Sequence, residues 1–409
     1  MTLYETLKDR NLIYQSTDDE KLEELLNGKP ITIYTGTDPT ADSLHIGHCV
    51  PACIMRRLQK AGHKVIILVG GATAAIGDPT GKTDMRPMLS KEQLAHNIEG
   101  IKRAYGKFLD FDGENPAIIV NNADWFAGYD YVNFMRDVGV HFNVNKMMSN
   151  EIYAKRIEEG GLTFFEMGYM LMQAYDFLYL NKTYNCTLQW GGADQWGNIV
   201  AGTELGRKMN FIDGKNRQMI GVTNPLLLTP EGKKMGKTEK GAIWIDNDKI
   251  SAYDFYQGIY QTPDACVEMM FALFTDIPMS EVRTLVETDI VNSKKRLAYE
   301  ITKFIRGEAD AIEAQNMSNN LFASNQINKD NAPTVELEIA ENDIGVLDLL
   351  LNAKFVASKG EARRLIDQKG ISMDSEVITD AQLRISKADL TNGILFKKGK
   401  KNYLLIKVK

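Results

Sequence analysis

The chain has 409 residues, 44% of them apolar and 25% charged, with a formal net charge of −6. At about 100–200 residues per domain, two or three domains are expected, and the composition is that of a globular protein with ample core material, not of a disordered chain. Residues 346–409 carry 13 Lys and Arg against 7 Asp and Glu, a net of +6 that leaves −12 on the rest, so either an anionic partner such as RNA or a solvated lysine face is expected there.

The start, Met1-Thr2-Leu3-Tyr4-Glu5-Thr6, has neither the basic nor the apolar segment of a secretory signal. Residues 31–35 read as a strand, and a helix is expected over about 44–61, closed by Gly62. Residues 64–69 read as a second, apolar strand. The longest uncharged run, 65–77, falls short of the roughly 18 residues a membrane span needs, so no membrane partner is expected. Further strands are expected at 117–121, 185–190 and 218–222. Apolar strands separated by helices indicate a parallel sheet covered on both faces, an α/β fold. Residues 251–324 are mostly helical in pattern. Residues 326–343, with Pro333, several Asn and many acids, read as a linker with a short strand near 335–339. Two short helices, 345–351 and 359–368, precede short strands ending at 402–408. The expected division is a catalytic α/β domain over 1–225, a lysine loop and α-helical domain over 226–325, a linker over 326–344 and a small basic α+β domain over 345–409. Cys49, Cys53, Cys186 and Cys266 show no disulfide framework, which suits a reducing cytoplasm.

In open parallel sheets, ligands bind beyond the carboxyl ends of the strands. Here those ends lead into Gly36-Thr37-Asp38-Pro39-Thr40, then Gly70-Gly71 and Asp78-Pro79-Thr80-Gly81-Lys82, then Gly191-Gly192-Ala193-Asp194-Gln195. Glycine lets the backbone approach a ligand closely. Plain strand-to-helix turns also favour Gly, Asp and Pro, so one such loop decides little.

His45 and His48 are expected in the first turn of the 44–61 helix, where free backbone N–H groups and a positive dipole make a phosphate site. An ordinary polar first turn is the plainer reading. A metal site with Cys49 and Cys53 is discounted, because two thiols one helical turn apart on an apolar stretch read as small buried side chains. Gly77-Asp78-Pro79-Thr80-Gly81-Lys82-Thr83 mimics a P-loop but is one residue short of the required glycine spacing. Lys146-Met147-Met148-Ser149 lacks a second lysine. Lys233-Lys234-Met235-Gly236-Lys237-Thr238, after Pro230 and Gly232, is the better phosphate loop, with an exposed basic turn as its alternative.

Residues 162–180 form the most informative helix. Thr163 and Glu166 make a capping box. Phe164, Phe165, Met167, Met170, Leu171, Met172, Phe177 and Leu178 then make it apolar nearly all round, so it is expected to be buried. Tyr169, Gln173 and Asp176 fall at i, i+4 and i+7 on one face. A buried polar stripe must find partners, either neighbouring loops or a small polar ligand.

Tyr34-Thr35-Gly36-Thr37-Asp38-Pro39-Thr40-Ala41-Asp42-Ser43-Leu44-His45-Ile46-Gly47-His48 resembles the nucleotide-binding signature of class I aminoacyl-tRNA synthetases, and more narrowly that of bacterial-type tyrosyl-tRNA synthetases. Segment 70–81, Tyr169-Met170-Leu171-Met172-Gln173-Ala174-Tyr175-Asp176 and Gly191-Gly192-Ala193-Asp194-Gln195-Trp196-Gly197-Asn198 agree in order and spacing. Lys234-Met235-Gly236-Lys237-Thr238 corresponds to the family's KMSKS loop. Residues 346–409 are similar to a small RNA-binding domain shared with a ribosomal small-subunit protein. The likeness covers essentially the whole chain.

The resemblance implies a Rossmann-like catalytic domain followed by the helical and RNA-binding domains. It implies a tyrosine–tRNA ligase that makes tyrosyl-adenylate from L-tyrosine and ATP, then passes tyrosine to the 3′ end of tRNA(Tyr). It implies Mg2+ with the ATP, no protein-bound metal, a homodimer and a cytoplasmic location. By the same resemblance Tyr34 and Asp176 hold the tyrosine hydroxyl. Asp78, Tyr169 and Gln173 hold its ammonium, and Gln195 lies near its carboxylate. Gly36, Asp38, Gly47, His48, Gly192, Asp194 and Lys237 position ATP. Thr40, His45, His48, Lys82, Arg86, Lys234 and Lys237 serve the departing pyrophosphate. Two departures stand out. Gly236 and Thr238 replace two serines of the mobile loop, and Gly236 is expected to loosen it. Pro51 is expected to remove one helical hydrogen bond and kink the helix after His48. Activation of tryptophan, or an RNA-binding protein with a silent synthetase core, are the alternatives.

Overall fold

Six strands build the first sheet: β1 (Gln15–Ser16), β2 (Thr32–Thr37), β3 (Lys64–Val69), β4 (Ile118–Asn121), β5 (Cys186–Gly192) and β6 (Ile220–Asn224). Their order is β1-β6-β5-β2-β3-β4. Every pairing is parallel except that of β1 with β6. The structure, a computed structural model, describes residues 1–79, 90–232, 234–238, 241–323, 332–339, 342–374, 376–399 and 402–408. Val65 to Val69 of β3 are all buried, as expected of a strand covered on both faces.

Contacts divide the chain into two compact units, Met1–Ala311 and Ile312–Lys409. In the first, helices Leu3–Asp9 and Asp19–Asn27, which pattern reading passes over, lie on either side of β1 in sequence. Both carry a start signal legible in the sequence: Thr2 forms a capping box with Glu5, and Asp18 accepts from the Lys21 N–H.

The helix expected over 44–61 starts later. Residues Ile46–His48 form a 3₁₀ turn, and the α-helix runs Cys49–Lys60. Pro51 therefore sits in the first α-helical turn, where its missing N–H would have had no partner within the helix, so the expected loss of a hydrogen bond does not arise. The helix expected over 162–180 runs Phe164–Tyr184, with the Thr163–Glu166 capping box formed and Asn185 ending it in the left-handed region. Its first two residues are not buried, Phe164 being 69% exposed and Phe165 44%.

Helices Ala252–Tyr260, Val267–Phe274, Met279–Thr288, Ile290–Arg306 and Glu308–Ala323 fill the region read as helical. Strands β7 (Lys237–Thr238) and β8 (Gly241–Ala242) form a short hairpin in the lysine loop. Several of this unit's cations hold main-chain carbonyls, three arginines among them. Arg10 and Arg57, both buried, donate to Ala272 and Thr275, and Arg306 donates to Trp244, Asp246 and Ile250. Carbonyls left free at helix and loop ends are thereby satisfied.

The second unit holds β9 (Thr334–Leu337), β10 (Asp343–Gly345), β11 (Ile371–Met373), β12 (Glu376–Val377), β13 (Arg384–Ser386), β14 (Ile394–Lys398) and β15 (Asn402–Val408). Five of them form one sheet, β12-β11-β14-β15-β9, and β10 pairs with β13. Helices Val346–Asn352 and Lys359–Asp367 contribute to its core, in which Val346, Leu349, Leu350, Ile366, Phe396 and Ile406 are buried. Part of the segment expected as a linker is β9, which pairs in parallel with β15. Residues 324–331 of the segments read as helix and linker lie outside the described residues.

Candidate active site

The chain runs from β2 outward to β3 and β4, then returns to β5 and β6 on the other side of β2. This reversal is a topological switch point, where an open parallel sheet leaves a crevice. A cleft of about 480 Å³ opens there, lined by the ends of β2, β5 and β6.

The 3₁₀ turn forms one wall. His45 caps it, and its Nδ1 accepts the Gly47 N–H at 3.2 Å. That bond places the ring proton on Nε2. The His45 and His48 rings stack with centroids 3.7 Å apart. Both histidines line the cleft, one turn ahead of the α-helix and not inside it. Cys49 and Cys53 are buried free thiols, and burial pushes Cys53 up to about 12, so neither offers a thiolate to a metal.

The polar stripe of the Phe164–Tyr184 helix enters a network. Tyr169 donates its hydroxyl to Asp38 at 3.0 Å, and Thr73 donates to the other Asp38 oxygen at 2.9 Å. Asn122 donates to Thr73 at 3.2 Å and to Asp176 at 3.1 Å, and Trp125 Nε1 donates to Asp176 at 2.8 Å. Asp176 is buried, and desolvation raises its carboxyl to about 7 despite these two donors, with a smaller contribution from Asp38. Tyr34 lies close enough for the Asp176 charge to bear on it. Burial first, then that charge, raises its phenol well above the usual range. Its hydroxyl is buried and has no hydrogen-bond partner.

Gln195 donates to Asp78 at 2.7 Å and accepts from Asn198 at 3.1 Å. Gln173, Gly36 and Thr40 line the same cleft, as do Gly192 and Asp194. Lys234 Nζ lies 2.6 Å from Asp194 Oδ2. The structure thus gathers into one cleft every described residue to which the resemblance gives a role, apart from Lys237, whose backbone lies in β7 and whose side chain is outside the described residues. Lys82 and Arg86 also lie outside the described residues.

Gly236 holds the lysine loop close to the histidine turn. It is buried with φ +112°, and a Cβ there would stand 2.6 Å from His45 Nδ1. A Cβ on Gly47 would stand 2.3 Å from the Met235 carbonyl oxygen. The lysine loop and the histidine turn meet backbone to backbone because both contact residues are glycines.

Sequence reading missed Thr73, Asn122 and Trp125. Asn122 could have been flagged, because it follows the end of a parallel strand as the other site loops do. Trp125 carries no such signal, since its part depends on Asp176 lying opposite.

A family model described as tRNA synthetases class I (W and Y) matches residues 26–323, and one described as tyrosine–tRNA ligase SYY-like C-terminal domain matches residues 324–406. The chain is 48% identical over 411 residues to the tyrosine–tRNA ligase of Clostridium kluyveri, covering 100% of this chain and 99% of that one. It is 47% identical over 413 residues to that of Acetivibrio thermocellus, with the same coverage. Among solved structures, a C-terminally truncated mitochondrial tyrosyl-tRNA synthetase of Aspergillus nidulans superposes with a TM-score of 0.69 at 28% identity, covering 78% of this chain and 94% of that one.

Proposed function

The chain belongs to the class I tyrosine–tRNA ligases, and from that premise we propose how its cleft joins tyrosine to ATP. The enzyme activates tyrosine with ATP and charges tRNA with it. The observation that carries the assignment of the cleft is the unpaired, buried Tyr34 hydroxyl beside buried Asp176. A phenol donates to Asp176 and accepts from Tyr34. An indole N–H leaves Tyr34 without an acceptor, and a phenyl ring leaves Tyr34 unmet while adding no donor to the two Asp176 already has. Each unmet buried group costs about 1–3 kcal/mol.

The tyrosine ammonium is held by Asp78, Tyr169 and Gln173, with Gln195 beside the carboxylate. Gly36, Asp38, Gly47, His48, Gly192 and Asp194 hold the nucleotide. The carboxylate is already a nucleophile, so the reaction needs no general base. Setting it in line with the α-phosphate is worth up to about 7–11 kcal/mol. As the bond to the α-phosphate forms, charge grows on the leaving pyrophosphate. Thr40, His45, His48, Lys234 and Lys237, with Lys82 and Arg86, are the groups assigned to meet it. A hydroxyl of the tRNA terminal adenosine then attacks the tyrosyl carbonyl and AMP leaves. Mg2+ carried in with ATP would supply further neutralisation of the triphosphate charge.

The acting form is a homodimer. An apolar face supports this, with Phe164, Val140, Val132 and Tyr131 each more than three-fifths exposed and a mostly apolar hollow of about 390 Å³ bordered by Phe164, Tyr131 and Phe165. Val140→Glu is expected to yield monomers in analytical ultracentrifugation; an unchanged dimer would move the interface elsewhere. The four free, buried thiols suit a cytoplasmic enzyme. No described helix is long and apolar enough to cross a membrane.

Amino-acid-dependent ATP–pyrophosphate exchange tests the whole reading. Tyrosine alone is expected to support exchange, and Asp176→Ala to lose discrimination against phenylalanine. Exchange with tryptophan instead, or none at saturating tyrosine, overturns it.

A further inference from the structure

Besides Tyr34, three cleft-lining residues carry a buried polar atom without a partner: Gln189 Oε1, Trp190 Nε1 and Asn224 Oδ1. Strand register sorts them. Tyr34 and Gln189 are neighbours on β2 and β5, and both face the Phe164–Tyr184 helix: the Tyr34 and Phe177 rings lie 5.3 Å apart, and a Cβ on Gly202 would touch Phe177 and Gln189 together. Alternation puts Thr37 on the opposite face, where Tyr105 bonds it and lies near Cys49, at the start of the helix behind the histidine turn. Trp190 and Asn224 share this second face. Asn224 is the register partner of Gly192, two residues from Asp194. It therefore stands at the nucleotide end of the cleft, not the phenol end.

Asn224 is 2% exposed. Its Nδ2 donates to the Pro225 carbonyl at 2.8 Å, which fixes which way the amide is turned. The group left to a ligand is a carbonyl oxygen, an acceptor only. Adenine offers a donor at its exocyclic amino group, whereas guanine offers an acceptor at the same ring position. We propose that Asn224 selects the base, its Oδ1 accepting a hydrogen bond from the 6-amino group of ATP. The proposal rests on the nucleotide reading of the cleft given above. It adds a specificity-determining residue that neither the signature turn nor the lysine loop supplies.

The test is tyrosine-dependent pyrophosphate release with ATP, with purine riboside triphosphate (which lacks the 6-amino group) and with GTP. The parent enzyme is expected to use purine riboside triphosphate about tenfold less well than ATP in kcat/KM, and GTP less well still. In Asn224→Leu, ATP should fall about tenfold to the level of the analogue, and the analogue should be unchanged. Tyrosine KM should not move, which also reports that the variant is folded. If Asn224 instead closes on Trp190 Nε1 and is purely structural, ATP and the analogue will fall together in the variant, and the proposal fails. Equal use of the two nucleotides by the parent enzyme overturns it without any variant. Absence of tyrosine-dependent release with ATP itself would be a failure of the functional reading and not of this residue's assignment.

Discussion

Asp38 and Asp176 stand at the two ends of one hydrogen-bonded chain, joined through Thr73 and Asn122. The two ends of the cleft proposed to take the nucleotide and the phenol are thereby tied together. The negative charge of Asp38 also adds to the burial that keeps a proton on Asp176. Two acidic groups on one buried network cannot both ionise without cost.

This arrangement has a pH signature. Asp176 titrates at about 7 in the folded chain and near 3.9 when unfolded. Between those values the folded state holds a proton that the unfolded state has released. The stability contributed by Asp176 is therefore fully present below about pH 4, falls as pH rises to about 7, and levels off above it. Asp176→Asn, neutral and similar in shape, should lack this component. The gap in urea midpoint between the variant and the parent should widen in the variant's favour from pH 5 to pH 8. A gap of constant size would mean that Asp176 is ionised throughout.

Lys234 and Asp194 make a different kind of pair. The lysine side chain is 62% exposed, so the ion pair is screened by water. Lys234→Ala should change the unfolding free energy by less than about 1 kcal/mol. If the lysine meets the leaving pyrophosphate, the same change should slow adenylate formation by about 100-fold in a rapid-quench experiment, with tyrosine affinity intact. A loss of under threefold would remove Lys234 from that role.

Gly236→Ala tests the contact between the lysine loop and the histidine turn. The left-handed backbone costs a side-chain residue roughly 1–2 kcal/mol, and the new Cβ would press on His45. The kcat/KM for ATP should drop at least about tenfold while tyrosine binding, followed by fluorescence, is kept. Parent-like kinetics would show that the loop reaches its working position without this contact.

A chain ending at Ala323 removes all the described strands of the second unit, including β9, which a cut near residue 342 would strand without its partner. Such a chain should keep tyrosine-dependent exchange and lose tRNA charging. Loss of both to the same degree would make the second unit structural for the first. Charging by the full chain should also weaken as salt rises, if lysines such as Lys397 and Lys398, or Lys400 and Lys401, meet phosphates.

The sheet was legible because its strands are short apolar runs between glycine-rich turns, and 64–69 coincides with β3. The cleft was legible because its residues lie in those turns or at helical spacing on one face. What escaped depended on partners distant in sequence. Trp125 and Asn122 matter only because Asp176 ends up opposite them. The exposure of Phe164 is invisible to periodicity, which sees an apolar residue and expects a core. The short strand expected near 335–339, by contrast, is present as β9. Asn224 escaped because a lone asparagine at a strand end is an ordinary turn residue.

The order of strands in the second unit also bears on how the protein is made. β15 follows every other strand of its sheet in sequence, yet it lies inside the sheet, between β14 and β9. Until β15 emerges from the ribosome, β9 has no neighbour to bond and Ile406 is missing from the core. Domains close as units in the order they emerge. The unit Met1–Ala311 can thus be finished while the second unit is still an open chain, and translation halted before β15 would yield a chain whose cleft is complete and whose second sheet cannot close.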